Sequence, residues 1–136
     1  MNNDTAMLNK NIKTTKEADI LVIDDSTTNV VLIEAVLSEM GYHIIPTLNA
    51  KEAYKAIEKK VPDLILLDLL MPRISGYDFL KQIKSSEETK NIPVIVISAV
   101  TDQPNVQKIM NMGADEFINK PLDIEELVEK VENILG

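Results

Sequence analysis

Cysteine is absent from the sequence, and so is tryptophan. The first absence removes disulfides, thiol chemistry and every cysteine-ligated metal or iron–sulfur site. Histidine occurs once, as His43. A histidine-rich metal centre is therefore excluded, any internal His–Asp catalytic pair would have to use that one imidazole, and His43 itself reads as a strand-edge residue. Glycine is scarce, with four in the chain. Gly41 and Gly113 stand apart as separate turn signals and form no phosphate-cradling loop, so the fingerprints of P-loop and dinucleotide-binding proteins are missing. No apolar run approaches the roughly 20 residues needed to cross a bilayer, and the polar beginning lacks a signal-peptide pattern. A cytoplasmic protein without a membrane partner is the expectation. Basic residues are the minority charge, 14 against 22 acidic, for a net charge of −8. That balance disfavours direct nucleic-acid binding, which needs a concentrated basic surface.

What remains is 136 residues of 45% hydrophobic composition, enough for one substantial core. Residues 1–17 are rich in Asn, Thr and Lys without an apolar period and read as a flexible polar extension; residues 18–136 read as one domain. The run Ile20-Leu21-Val22-Ile23 suits a strand buried on both faces, and Val30, Ile33, Leu37 and Met40 follow at helical spacing before Gly41. A short strand at His43-Ile44-Ile45 precedes a second helix, opened by Asn49 and Glu52 as a capping box. Leu64 to Leu67 form a third strand, Met71-Pro72 and Ser75-Gly76 force a loop, and a third helix runs through Phe79, Leu80 and Ile83. Ile92 to Ile97 form a fourth strand with its proline near the start. A helix with Val106, Ile109 and Met110, a strand within Ala114 to Ile118, and a last helix capped by Asp123 and Glu126 complete the pattern. Alternating buried strands and helices argue for a doubly wound α/β domain with a five-stranded parallel sheet, expected in the order 2-1-3-4-5.

In such folds, ligand sites gather at the carboxyl ends of the strands. Asp24, Asp25, Asp68, Ser98 and Lys120 all fall there. An adjacent acid pair at the end of an apolar run is either a solvated strand exit with a helix cap or a hard-cation site, and adding Asp68 favours the cation. A carboxylate on a rigid strand end can attack a phosphoryl donor, giving a transient acyl phosphate. Lys120, before Pro121, is placed to stabilise phosphoryl oxygens, and Ser98 can donate its hydroxyl or serve as a helix cap or turn residue. Met110 and Met112 read as core fillers, and Arg73 as a solvent-exposed residue.

These elements resemble the receiver domain of two-component response regulators, the CheY-like family. Four separated features carry the resemblance: Asp24-Asp25 after the first strand, Asp68 in D-L-L-M-P, Ser98-Ala99 after the fourth and Lys120-Pro121 after the fifth. It covers approximately Ala18 to Gly136 and implies a flavodoxin-like fold. By this resemblance, Asp25 and Asp68 bind Mg²⁺ with the backbone carbonyl of Leu70, and Asp24 assists through the metal or its water. Asp68 receives a phosphoryl group from a sensor histidine kinase or a histidine phosphotransfer protein, and Ser98 and Lys120 hold it. Phe117 occupies the family's aromatic switch position. Its ring would move with Ser98 and change the face made by the fourth helix, fifth strand and fifth helix, toward a downstream protein or a homodimer. Phenylalanine here departs from the commoner tyrosine and lacks the hydroxyl. Leu70 and Val100 are expected to flank the route of hydrolytic water and to slow self-dephosphorylation.

The expected activity is Mg²⁺-dependent self-phosphotransfer and self-dephosphorylation, not conventional multiple turnover. Two other readings stay open at this level. One is a receiver-like binding module that acts without phosphorylation, disfavoured because every main pocket group is kept. The other is a metal-dependent phosphohydrolase, for which Asp68 lacks the usual companion Asp two residues later. Stand-alone protein and excised domain are equally compatible with the sequence.

Overall fold

Short apolar runs and amphipathic segments alternate along the chain because each central strand must be covered on two sides. The computed structural model describes residues 18–69, 75–99 and 102–136. Five strands, β1 (Asp19–Ile23), β2 (His43–Thr47), β3 (Leu64–Asp68), β4 (Val94–Ser98) and β5 (Glu116–Asn119), pair in parallel in the order β2-β1-β3-β4-β5. The helices between and after them are α1 (Thr27–Glu39), α2 (Ala50–Lys59), α3 (Gly76–Ser85), α4 (Gln103–Asn111) and α5 (Ile124–Leu135). Both the expected doubly wound class and the expected strand order are met.

Strand side chains alternate between the two faces with period two, so each run feeds two cores. Leu21, Ile23, Ile65, Leu67, Val94 and Val96 join Ala50 and Ala53 of α2, Phe79, Leu80 and Ile83 of α3 and Ile109 of α4. On the other face Ile20, Val22, Leu64, Leu66, Ile95, Ile97 and Ile118 meet Val30, Ile33 and Leu37 of α1 and Leu127 and Val131 of α5. β1, β3 and β4 are buried at every position. This explains their near-continuous hydrophobicity.

Every helix begins on a side-chain cap. Ser26, Asn49, Ser75, Asp102 and Asp123 each accept a hydrogen bond from a backbone N–H in the first turn. The expected capping box at Asn49 forms in modified shape: Asn49 accepts from Glu52 N–H, while Glu52 Oε1 accepts from Leu48 N–H rather than from Asn49. The cap of α4 is Asp102, and Ser98 ends β4 as a buried residue rather than as a cap. Gly41, at φ 98°, turns the chain after α1 in a conformation that side chains disfavour.

Two strand boundaries differ from the sequence pattern. β5 lies later than Ala114, at Glu116–Asn119, and Asp115 N–H already bonds the Val94 carbonyl of β4 at the strand's approach. β2 runs on past Ile45 through Pro46 to Thr47. His43 N–H donates to the Ala18 carbonyl and the Thr47 carbonyl accepts from Asp24 N–H, so residues 43 and 47 bond inward to β1. By alternation Pro46 faces outward at the sheet edge, where its missing N–H costs no ladder bond.

Candidate functional site

The register brings the strand exits into line. Ile23 pairs with Leu67, Asp68 with Ile97, and Ser98 with Asn119. Asp24, Asp68, Ser98 and Lys120 therefore emerge side by side at the carboxyl edge of the sheet. Lys120 N–H also donates to the Ser98 carbonyl at 2.9 Å, tying the exit of β5 to that of β4.

Asp24, Asp25 and Asp68 each present a carboxylate oxygen within 4.8 Å of the others. Asp24 and Asp68 are each only 3% exposed, whereas Asp25 opens to solvent. Crowding like charges at this depth is costly without a cation. Lys120 supplies one, its Nζ lying 3.4 Å from Asp68 Oδ2 and 3.9 Å from Asp24 Oδ2. One ammonium against three carboxylates leaves the pocket negative, which suits a divalent cation with oxygen ligands.

Asp24 is held on both oxygens: Oδ1 accepts Ser26 N–H at 2.8 Å and Oδ2 accepts Asn29 Nδ2 at 3.3 Å. Neither Ser26 nor Asn29 is among the residues that the sequence pattern marks as functional. Ser26 carried a usable signal as a serine ahead of a helical stretch, while Asn29 had none beyond its position in the first turn. Gly76 fixes the other side of the pocket, where its N–H donates to the Leu69 carbonyl at 3.0 Å just past Asp68.

The structure thus brings together Asp24, Asp25, Asp68 and Lys120, with Ser98 buried at the neighbouring strand end. Phe117 lies one face away on β5, half-buried and packed with Met110, Met112 and Tyr77 against the core under α3 and α4. Both methionines are partly buried against that core. His43 sits on the edge strand at the opposite end of the sheet, its Nδ1 2.9 Å from Asp19 Oδ1. Leu70, Met71, Pro72, Arg73 and Val100 lie outside the described residues, and with them the expected carbonyl ligand and the expected water route.

Comparison with known proteins bears on the family and the fold. The family model for the response regulator receiver domain matches residues 20–132. The chain belongs to that family. Among curated proteins it is 30% identical over 117 residues to the polar-differentiation response regulator DivK of Brucella anthropi, covering 86% of this chain and 95% of that protein. Among solved structures, the signal receiver domain of a signal transduction histidine kinase from Syntrophus aciditrophicus is 33% identical with a TM-score of 0.79, covering 87% of this chain and 89% of that one. The chemotaxis protein CheY4 of Vibrio cholerae superposes with a TM-score of 0.81 at 25% identity, covering 88% and 99% of the two chains. This receiver domain has no helix long and apolar enough to cross a membrane among its described residues.

Proposed function

We propose that Asp68 of this receiver domain is a phosphoacceptor, that Mg²⁺ bound by Asp24, Asp25, Asp68 and the Leu70 carbonyl supports the reaction, and that the modified domain presents an altered protein-binding face. The observation that carries this reading is the meeting of three carboxylates within 4.8 Å, with Lys120 Nζ 3.4 Å from Asp68. The donor set is all oxygen, as Mg²⁺ prefers, and exposed Asp25 leaves one side of it open to solvent. When bound, Mg²⁺ would offset the charge of the pocket and of the phosphoryl oxygens.

The proposed phosphodonor is a phosphohistidine on a sensor histidine kinase or a histidine phosphotransfer protein in the cytoplasm. An Asp68 carboxylate oxygen attacks phosphorus, the P–N bond breaks, and the departing imidazole keeps the electron pair and takes up a proton from solvent. Lys120 stabilises the phosphoryl oxygens by charge, and the Ser98 hydroxyl donates to one of them. Phosphorylated Asp68 loses one negative oxygen to the new bond and places its phosphoryl group beside Ser98 and Lys120. The half-buried Phe117, on the strand just before Lys120, is the proposed relay to the α4–β5–α5 face, which serves a downstream protein or a homodimer. We take residues 18–136 as this domain and 1–17 as its polar extension.

The test is intact mass before and after a small phosphodonor with Mg²⁺, for wild type and Asp68→Asn. A gain of one phosphoryl group in wild type and none in the variant is expected. No gain in wild type, or an equal gain in both, rejects the assignment. Amide exchange of the phosphorylated domain should change on the α4–β5–α5 face, and a response confined to residues 1–17 would reject that face as the output surface.

A further inference from the structure

Two buried carboxylates share one cation in the pocket. Lys120 Nζ is 3.4 Å from Asp68 Oδ2 and 3.9 Å from Asp24 Oδ2. A carboxylate with uncommitted oxygens beside an ammonium would rotate to close such a gap to a direct charge-assisted bond, near 2.8 Å. Asp24 does not close it. Ser26 N–H fixes Oδ1 at 2.8 Å, and the Asn29 side chain donates to Oδ2, the same oxygen that faces Lys120, at 3.3 Å.

Among the described residues, the Asn29 side chain makes no other hydrogen bond. Its backbone N–H is the group that binds the Ser26 hydroxyl and caps α1, at 3.3 Å, and this bond survives any substitution of the side chain. Only the NH₂ end of the amide can face a carboxylate oxygen, since its carbonyl would be repelled. An amide donor also brings no charge. A second lysine at this position would neutralise the acids that a divalent cation needs.

We propose that Asn29 is a positioning residue of the acidic pocket: its amide holds Asp24 Oδ2 off Lys120, so that the lysine stays with Asp68 and the Asp24 carboxylate stays turned toward Asp25 and Asp68. The inference rests on the reading of those three acids as a divalent-cation site, and it assigns to a residue of the first turn of α1 the control of which acid Lys120 serves. Without the amide, Asp24 pairs with Lys120 and is lost to the cation.

The test is Mn²⁺ binding to the unphosphorylated domain, read by water proton relaxation, for wild type, Asn29→Leu and Asn29→Gln, each also in a Lys120→Met background. Asn29→Leu keeps the shape and removes the donor, and thermal unfolding confirms that each variant folds. Asn29→Leu should weaken Mn²⁺ binding about 10-fold, the low end of what losing a hydrogen-bond partner of a ligand costs. Asn29→Gln, which keeps an amide donor, should recover most of the loss. In the Lys120→Met background the same Asn29→Leu change should cost less than about 2-fold, because the competitor has gone. Equal affinity of Asn29→Leu and wild type overturns the proposal while leaving the cation site standing. An equal loss in both backgrounds also overturns it, since Asn29 would then act independently of Lys120. A wild-type domain that binds no Mn²⁺ overturns the cation reading and this proposal together.

Discussion

Gly76 stands against Leu69 so closely that a Cβ on it would lie 2.4 Å from Leu69 Cα and 2.8 Å from the Asp68 carbonyl oxygen. The first residue of α3 is thus pressed onto the backbone that delivers the proposed phosphoacceptor. No flexible side chain is available to yield, so Gly76→Ala must displace either α3 or the end of β3. We expect a loss of about 2–3 kcal/mol in urea unfolding, together with slower phosphoryl uptake by the folded fraction. Gly113→Ala is the control: at φ 111°, with Lys84 Cγ 2.9 Å from the added carbon, it should cost about 1 kcal/mol and leave uptake unchanged. Wild-type uptake in folded Gly76→Ala would show that the contact does not position Asp68.

Lys120 has two opposed effects on the pocket, and one substitution separates them. As the cation 3.4 Å from Asp68, it offsets part of the negative charge that a divalent ion would otherwise meet. Lys120→Met should therefore tighten Mg²⁺ binding, measured by calorimetry. The same change removes the charge proposed to stabilise the phosphoryl oxygens, and uptake from a small phosphodonor should fall by about 10- to 100-fold. Weaker Mg²⁺ binding, or uptake at the wild-type rate, would count against the role given to this lysine.

The fold was legible because strands buried on both faces leave an unmistakable trace. Leu64 to Leu67 and Val94 to Ile97 have no polar position to confuse with a helix face, and each helix announces its start with Ser, Asn or Asp. The acids and Lys120 were legible because charged residues directly after such runs have nowhere to go but the edge of the sheet. The edge strand runs past Ile45 through Pro46 to Thr47, and only the bonding parity of β2 shows why a proline is tolerated there. Asn29 was invisible for another reason. Its significance lies in which oxygen of Asp24 it reaches, and a contact between a helix turn and a strand exit has no periodicity.

At the amino end of the sheet, buried Asp19 accepts from Lys60 Nζ at 2.8 Å and approaches His43 Nδ1 at 2.9 Å. The Lys60 bond holds its carboxyl below the ordinary value of 3.8, ahead of burial, which raises it, and of the His43 bond, which lowers it. A folded-state value below the unfolded one stabilises the fold above the unfolded value, and this contribution is lost as pH falls through the folded one. Lys60→Met removes the largest lowering effect. It should cost about 1 kcal/mol near neutral pH, discounted for the exposure of the lysine, and shift acid unfolding to higher pH. The two proteins should converge in stability at the acid end, once Asp19 is protonated in both. An unchanged acid midpoint would show that His43 alone suffices.

Pro46 supplies the last expectation. β2 is the outer strand next to β1, and an edge with free N–H groups invites pairing with another chain. Residues 43 and 47 bond inward, so the outward positions of β2 are Ile44 and Pro46, and Pro46 carries no N–H. Pro46→Val would restore a second outward donor, two residues from Ile44, and would raise strand propensity at the same time. The monomer's stability should change by no more than about 0.5 kcal/mol, since no inward bond is touched. Light scattering at rising concentration should nevertheless show earlier self-association for Pro46→Val than for wild type. Pro46→Lys restores the same donor together with a charge, and should stay monomeric. If Pro46→Val scatters like wild type, or Pro46→Lys associates equally, the proline has no part in keeping this edge unpaired.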